Sequence, residues 1–299
     1  MSEKFQWHTS ALLMNEGCGE QFRRRYLEGE RLLPGVAATV GTAVDRTVHA
    51  DLAEKMAGRE LLDDLAVADL AFENLAGAWD KYGVTLAAED AIAGPAKVKG
   101  AAIDKSIRLA QLHHRRVAPT VMPTHLHQKF VLDFNGYDFQ LAGEIDIREV
   151  DTIRDVKTAG KSPDAGAAER SLQLDAYALA VQAETGHPPR RGVLDFLVDT
   201  KLLQVVQPER SFEKADFGPF LARLQVAEKA RQKGVFVPAR PDDGAGRVNW
   251  RCTPKWCGYF QTCRYALRPV SISLVNIETA PVVDLTKALE APDAEPWRA

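Results

Sequence analysis

The spacing of apolar residues changes along the chain from a helical period to a strand period. Val44, Val48, Leu52 and Met56 recur every four residues, which predicts a helix over residues 41–58. Similar apolar stripes, with capping residues at their ends, predict further helices over residues 9–29, 64–82 and 97–117. The first third of the chain is therefore predicted to be helical.

After about residue 124 apolar and polar residues alternate. Two alternating runs flank the dipeptide Asn135-Gly136, and this arrangement predicts a β-hairpin. A third strand, TIRDVKT, follows Asp151. The pattern then predicts, in chain order, a helix over 165–186, strands near 191–199 and 202–207, and a helix over about 213–233. This order predicts an α/β fold with a mixed central sheet.

Composition and charge narrow the class of protein without fixing its function. The 299 residues are 45% hydrophobic and 26% charged, which is ordinary for a globular protein with a large core. The net charge of −3 gives no overall basic excess, although a local groove can be basic on an acidic protein. The sequence has no signal-peptide pattern and no long apolar run, so we expect a cytoplasmic protein that does not enter a membrane.

Two acids and a lysine stand out on the predicted strands. Asp146 lies in GEIDI on the second hairpin strand, and Asp155 and Lys157 lie in IRDVKT on the third. Facing side chains on neighbouring antiparallel strands are about 5 Å apart, so the two carboxylates could share a hard cation such as Mg²⁺. Asp155 and Lys157 are two residues apart and point to the same face, where a lysine can orient an attacking water.

These segments resemble the PD-(D/E)XK nuclease superfamily, and more narrowly its exonuclease branch typified by the RecB nuclease domain. That branch carries Gly-x-x-Asp, then Asp-x-Lys-Thr, then Gln-x-x-x-Tyr on the next helix. All three occur here in order, as Gly143 to Asp146, Asp155 to Thr158, and Gln173 to Tyr177. The branch also carries a histidine on an upstream helix after a glycine, and GTAVDRTVH places His49 at that position.

The resemblance implies a restriction-endonuclease-like core and a role for each matched residue. Asp146, Asp155, His49 and the backbone carbonyl of Val156 would bind Mg²⁺ or Mn²⁺. Lys157 would assist the attacking water, so Asp146, Asp155 and Lys157 would be the catalytic residues. Gln173 and Tyr177 would line the site and touch the DNA strand. In many relatives a glutamate precedes the hairpin, whereas here Gln128 stands at that place; Glu144 points with Asp146.

The four cysteines are unevenly distributed. Cys252, Cys257 and Cys263 form C-x4-C-x5-C, and Cys18 lies far upstream. Four thiolates favour zinc or an iron–sulfur cluster, and the absence of a Cys-x2-Cys knuckle favours iron. Buried, inert thiols are the remaining alternative.

The cysteine arrangement adds to the family resemblance. The AddB helicase–nuclease subunit and the CRISPR-associated exonucleases place one cysteine before the nuclease core and three after it, around a 4Fe–4S cluster. CGEQFRRRYL is similar to their first-cysteine segment, although the usual first downstream gap is two residues rather than four. By this resemblance the cluster would join the two ends of the chain, and zinc remains the alternative cofactor.

The combined interpretation divides the chain into four parts. They are a helical segment over 1–35 with the first cysteine, a nuclease core over 36–210, a helical segment over 211–275 with three cysteines, and a loose tail over 276–299. We expect a metal-dependent DNA exonuclease that acts on single strands or duplex ends. The setting would be recombination, repair or end processing in a phage or bacterium, with a recombination or helicase partner or a homo-oligomer.

Two other functions fit the same motifs. The chain could be a non-catalytic DNA-binding or assembly subunit that keeps the nuclease fold, or a structure-specific endonuclease. Local basic clusters, RRRY at 23–26, HHRR at 113–116 and PRRG at 189–192, would track a phosphate backbone if they border the metal site, and are otherwise solvated helix faces.

Overall fold

A computed structural model describes residues 4–213, 216–240, 242 and 249–266. They all belong to one compact unit, Met1–Ala266. The tail predicted over 276–299 lies outside the described residues, and the predicted boundaries at residues 35 and 210 remain predictions. None of the described helices is both long enough and apolar enough to cross a membrane.

Seven strands form one mixed sheet, which confirms the predicted α/β fold. The strands are β1 Phe5–Trp7, β2 His125–Asp133, β3 Phe139–Arg148, β4 Thr152–Ala159, β5 Arg191–Asp199, β6 Leu203–Val206 and β7 Glu209–Ser211. Their order is β1-β3-β4-β5-β6, with β2 paired to β3 and β7 paired to β5. The β1–β3 and β4–β5 pairs are parallel, and the other pairs are antiparallel.

The described part of the chain contains eight α-helices, which flank the sheet. They are α1 Thr9–Gly17, α2 Gly19–Phe22, α3 Val36–Met56, α4 Asp64–Tyr82, α5 Ala88–Ala93, α6 Pro95–Arg116, α7 Leu172–Thr185 and α8 Gly218–Gln232. Several ends follow from local chemistry. The Asp63 side chain caps α4 by accepting hydrogen bonds from the backbone N–H of Leu65 and Ala66, and Ser171 caps α7 in the same way. Gly186, with φ of 86°, ends α7.

The helix predicted over 9–29 is interrupted at Cys18. Cys18 is extended, with φ −165° and ψ 102°, so the chain forms α1, α2 and a π-helical turn, Arg23–Leu27, instead of one helix. The Gly19 backbone N–H donates to the Val237 carbonyl at 2.7 Å. A Cβ atom at Gly19 would lie 2.7 Å from the Val237 nitrogen, so this close approach requires glycine.

The two faces of the sheet pack against different helices. On one face, a core shared with α3, α4 and α6 contains Val44, Leu109, Ile147 and Leu197. On the other face, Ile145, Ile153 and Leu194 pack against α7, and a neighbouring cluster joins α1, α8 and β1 around Trp7. Burying large side chains from both faces fixes which face each strand residue presents, because a shift of one residue would reverse them all.

The sheet forks at β3. Strand β2 pairs with β3 along almost its whole length, so β1 and β4 share the other edge. Strand β1 pairs with residues 139–141, whereas β4 pairs only with Ile147 and Arg148. The intervening stretch of β3, residues 142–146, faces the opening between the two neighbours and places Asp146 at the fork.

Candidate active site

The carboxylate of Asp146 lies at this fork, against helix α7. Its Oδ1 accepts a hydrogen bond from the hydroxyl of Tyr177 at 3.1 Å. Burial raises the pKa of Asp146, and the negative charge of Asp45 acts in the same direction. A nearby cation would therefore stabilise the ionised form of this carboxylate.

Asp155 in β4 is the most unusual acid in the described part of the chain. It is fully buried, and neither carboxylate oxygen has a hydrogen-bond partner among the described residues. The Nζ of Lys157 lies 2.6 Å from Oδ2, so the two side chains form an ion pair. Burial raises the pKa of Asp155 to about 8; the positive charge of Lys157 opposes this shift, and the negative charge of Asp146 adds to it.

Lys157, Gln173, Tyr177 and Asp146 form a continuous chain of contacts. The Lys157 ammonium donates to Gln173 Oε1 at 3.0 Å, and Gln173 Nε2 donates to the Tyr177 oxygen at 2.6 Å. Tyr177 in turn donates to Asp146. Burial lowers the pKa of Lys157, but the contact with Asp155 and the negative charges of Asp155, Asp146 and Asp45 together outweigh burial, so the net shift is upward and the ammonium stays protonated. The four residues that the sequence motifs predicted thus lie together with Asp155.

His49 in α3 lies at the same fork, where its ring contacts two backbone oxygens and a second histidine. Its Nε2 lies 2.9 Å from the backbone oxygen of Asp146, and its Nδ1 lies 2.9 Å from the backbone oxygen of Asp45. Its ring is 3.6 Å from that of His127, centroid to centroid. Sequence reasoning missed Asp45 and His127; the only signal for His127 was its place beside Gln128, where relatives carry a glutamate.

Val156 lies between Asp155 and Lys157 in β4. It pairs with Asp195 in the parallel strand β5, and its side chain packs into the core shared with α3 and α6. The Val156 carbonyl is therefore part of β4, one residue from Asp155. Its role as a metal ligand remains a prediction.

A pocket of about 330 Å³ lies beside these residues. Asp146, Gln173 and Tyr177 line it from the sheet and α7, and Glu144 lines it from β3. His8, Thr9, Ser10 and Leu13 at the start of α1 form the opposite side, in the segment that the sequence interpretation had separated from the core. The pocket is large enough for part of a nucleotide chain to approach Asp146.

The three basic clusters are mostly engaged in ion pairs. Arg23 pairs with Glu20 and Glu28, and Arg24 pairs with Glu30. In the other clusters Arg115 pairs with Asp64, His113 is fully buried, and Arg190 and Arg191 pair with Glu213 and Glu209. None of these residues lines the pocket beside Asp146.

The four cysteines line a single small cavity of about 10 Å³. Cys18 reaches it from the break between α1 and α2, and the other three come from residues 252–263. Burial raises the pKa of the Cys257 thiol, and charge on Cys18 and Cys252 would raise it further. The Gln21 amide lies 3.2 Å from the Cys257 sulfur. The fold thus brings Cys18 and the segment 252–263 together around this cavity.

The carboxylate pair fits a divalent cation on structural grounds. Two acids with raised pKa values, one of them without any hydrogen-bond donor among the described residues, are costly to bury as charged groups. Hard cations such as Mg²⁺ and Mn²⁺ take carboxylate oxygens as ligands and remove this cost. The donor set, its burial and the neighbouring pocket all suit such an ion.

Comparisons with known proteins agree with this geometry. Residues 9–264 match the model of the PD-(D/E)XK nuclease superfamily. The fold is similar to the crystal structure of a "putative exonuclease" from Eubacterium rectale, at 12% identity and a TM-score of 0.52, over 88% of this chain and 90% of that chain. The crystal structure of SSO0001 also matches, at 12% identity and a TM-score of 0.39, over 90% of each chain. No curated protein sequence matches.

The family match covers most of the chain, and its range includes strands β2 to β7, the two acids, the lysine and the Gln-Tyr helix. At 12% identity the structural likeness to the Eubacterium rectale protein shows the fold alone. Sequence match and geometry lead to the same conclusion: the chain belongs to the PD-(D/E)XK nuclease superfamily.

Proposed function

We propose that this chain is a divalent-metal-dependent deoxyribonuclease that degrades DNA from its ends. The observation that carries the proposal is the carboxylate pair of fully buried Asp155 and half-buried Asp146, with the ammonium of Lys157 beside it. The name of the Eubacterium rectale structure mentions exonuclease activity, which agrees with the proposal at the level of a shared fold.

Asp146, Asp155 and the carbonyl of Val156 would hold Mg²⁺ or Mn²⁺. His49 stays a predicted ligand of the same ion. When bound, such an ion polarises a phosphoryl oxygen and makes a water more acidic.

The side chains supply orientation and charge for hydrolysis. Lys157 would position the attacking water and stabilise negative charge that develops on the phosphate. Gln173 holds the Lys157 ammonium in place, and Tyr177 holds the Asp146 carboxylate, because both contacts belong to the same hydrogen-bond chain. Both residues line the pocket, so both can also contact the DNA strand.

The test compares linear and covalently closed DNA. Wild type should release end label from linear DNA only when Mg²⁺ or Mn²⁺ is present, and should leave closed circular DNA intact. Asp155→Ala should abolish the release, whereas Asp164→Ala, which changes an exposed acid shortly after β4, should not. Cleavage of closed circles would favour a structure-specific endonuclease. DNA binding without metal-dependent loss of label would favour a non-catalytic subunit.

We also propose a metal cofactor at the four cysteines, with a 4Fe–4S cluster as the preferred group. A tetrahedral zinc site has Zn–S bonds of about 2.3 Å, so its sulfur atoms lie about 3.8 Å apart. Within the described ranges, no three cysteine sulfurs lie within 4.8 Å of one another. The preference for iron over zinc rests on the absence of a Cys-x2-Cys knuckle and on the branch resemblance. Because Cys18 and Cys252 are far apart in sequence, this group would restrict the unfolded chain and act structurally.

The cofactor proposal has its own measurement. An anaerobic preparation should be brown and contain iron, and Cys257→Ser should remove both the colour and the iron. A colourless protein with stoichiometric zinc would replace the cluster with a zinc site. The role in recombination, repair or DNA-end processing, the bacterial or phage setting, and a helicase partner or homo-oligomer remain proposals that rest on the branch resemblance.

A further inference from the structure

Two tryptophans beside the cysteine cavity are exposed to solvent. Trp250 is 55% exposed and Trp256 is 61% exposed, and their rings lie 5.9 Å apart, centroid to centroid, with their planes at 83°. Trp7, by contrast, is fully buried in the core around α1 and α8. Tryptophan is usually highly buried because it carries a large apolar surface, so an exposed pair in contact indicates a binding surface.

The two exposed rings have no part in covering the sulfur atoms. Buried Tyr259 and Phe260 line the cysteine cavity, whereas neither Trp250 nor Trp256 lines it. Thr253 joins the two tryptophans, because its hydroxyl donates to the Trp250 carbonyl at 2.8 Å and its carbonyl accepts from the Trp256 N–H at 3.1 Å. The turn that holds the cysteines therefore also fixes the two indoles on its outer side.

Each indole carries a cation from a neighbouring residue. The Arg251 guanidinium lies 5.0 Å from the Trp250 ring centroid, and the Lys255 ammonium lies 5.5 Å from that of Trp256. Lys255 also pairs with Glu89, whereas Arg251 forms no ion pair with a carboxylate of the described residues. Rings interleaved with cations suit a single nucleic-acid strand, since bases stack on the rings and the cations attract phosphates.

A third ring of the same kind lies on the cysteine cavity. Tyr265 is 40% exposed, and the Arg264 guanidinium lies 4.6 Å from its ring centroid. Tyr265 and Arg251 both line the cavity, so the three rings with their cations belong to one side of the molecule.

Helix α1 connects this region with the pocket beside Asp146. Thr9 and Ser10 at its start line that pocket, and Cys18, directly after its end, lines the cysteine cavity. A helix of nine residues is about 13 Å long, which is the length of a few nucleotides. One short strand is therefore long enough to occupy both places.

We propose that Trp250 and Trp256, with Arg251 and Lys255, form a surface that stacks the bases of single-stranded DNA. A duplex keeps its bases stacked on one another, so only an unpaired strand offers them to the indoles. The inference rests on the proposed nuclease function, for which it names the single strand as the form of DNA that the chain holds. The surface would retain the strand while its end lies in the pocket.

The experiment measures binding without divalent metal, by fluorescence anisotropy of a labelled oligothymidine and of an abasic strand of the same length. Wild type should bind oligothymidine more tightly, because only this strand has bases to stack. The double variant Trp250→Ala/Trp256→Ala should bind oligothymidine about tenfold more weakly or worse and should lose the preference. Arg251→Gln should weaken the binding of both strands by similar factors, since it removes a charge that attracts phosphate.

Tyr82→Ala is the matched control. Tyr82 ends α4, is 51% exposed and has the Lys81 ammonium 5.0 Å from its ring centroid, but it does not line the cysteine cavity. This variant should bind both strands as wild type does. Thermal unfolding should be unchanged in the double variant, because both indoles are exposed. Trp256→Phe keeps an aromatic face and should retain most of the preference.

Equal affinity of wild type for the two strands, or an unchanged preference in the double variant, would overturn the inference. In either case, metal-dependent DNA digestion that Asp155→Ala abolishes would leave the proposed function standing. Base-dependent binding by a chain that releases no label with metal would support this surface and contradict the proposed nuclease activity.

Discussion

Arg154 and Asp155 are neighbours in β4, are both buried, and have opposite surroundings. Arg154 faces α6, where its guanidinium contacts Glu149 at 2.7 Å and Asp195 at 3.1 Å. Asp195 also accepts a hydrogen bond from Gln207. Asp155 faces α7, where it shares the single ammonium of Lys157, 2.6 Å from Oδ2, with a second carboxylate, that of Asp146.

The difference separates a structural charge network from a functional one. The Arg154 network is satisfied by its own side chains, so it needs nothing from solution. The Asp155 site concentrates negative charge that the described side chains do not satisfy. Because two buried or half-buried carboxylates around one ammonium leave negative charge that is costly to bury, such a site is understandable when a cation completes it. Each prediction below perturbs one side of this comparison.

The largest effect is expected from Asp155→Asn. DNA cleavage should fall by about a thousandfold or more, which corresponds to about 4 kcal/mol of transition-state stabilisation. The folded state should remain at least as stable without metal, because asparagine is neutral when buried and needs no proton uptake on folding. Single-turnover cleavage and thermal unfolding measure the two effects. Near wild-type cleavage by Asp155→Asn would show that Asp155 takes no part in the reaction.

Arg154→Met should show the opposite behaviour. Leaving Glu149 and Asp195 buried without their partner should lower the free energy of unfolding by about 3–5 kcal/mol. Urea unfolding measures this, and Arg170→Met, which breaks an exposed pair, should change it by less than about 1 kcal/mol. Adding Asp195→Leu to Arg154→Met should restore part of the loss. Equal stability of the two single variants would contradict the structural role of the network.

Tyr177→Phe tests the hydrogen-bond chain that orients the catalytic acid. The change removes the hydroxyl between Gln173 and Asp146 and keeps the buried ring. A hydrogen bond to a charged group contributes about 1.5–3 kcal/mol, so cleavage should fall by about ten- to a hundredfold. An unchanged rate at saturating DNA and metal would show that this chain does not orient Asp146.

The pH dependence of stability should reveal the raised pKa of Asp155 in metal-free protein. Between the unfolded value of about 4 and the folded value of about 8, the folded state holds a proton that the unfolded state has lost. This contribution therefore favours folding below about pH 4 and is lost as pH rises towards 8. Urea unfolding with a chelator should show this decline in wild type relative to Asp155→Asn. If the free energy of unfolding depended on pH in the same way in both proteins, Asp155 would not be the group that holds this proton.

Much of the fold was predictable because its signals are local. Asn135-Gly136 predicted the hairpin, and Gly136 has the positive φ that such a turn requires, at 83°. The helix predicted over 165–186 begins later, at Leu172, because the Ser171 side chain caps it there. Strands β1 and β7 are three residues long, too short for an alternating pattern to identify.

The candidate site likewise has features that the sequence predicted and features that it did not. Asp146, Asp155, Lys157, Gln173 and Tyr177 lie within one short segment, and their order in sequence suggested that they converge. The remaining features depend on tertiary packing. The pairing of Arg154 with Asp195 follows from the register of parallel strands, and the approach of His127 to His49 follows from a backbone conformation that no residue pattern indicates.

The most direct test of the central claim is calorimetric titration of Mg²⁺ at pH 7 in buffers of different ionisation enthalpy. Wild type should bind Mg²⁺ and release a proton, because the ion replaces the proton held by the buried carboxylate pair. Asp164→Asn should behave like wild type, and Asp155→Asn should show no such binding. Equal Mg²⁺ affinity and equal proton release in wild type and Asp155→Asn would contradict the claim that these carboxylates form the cation site.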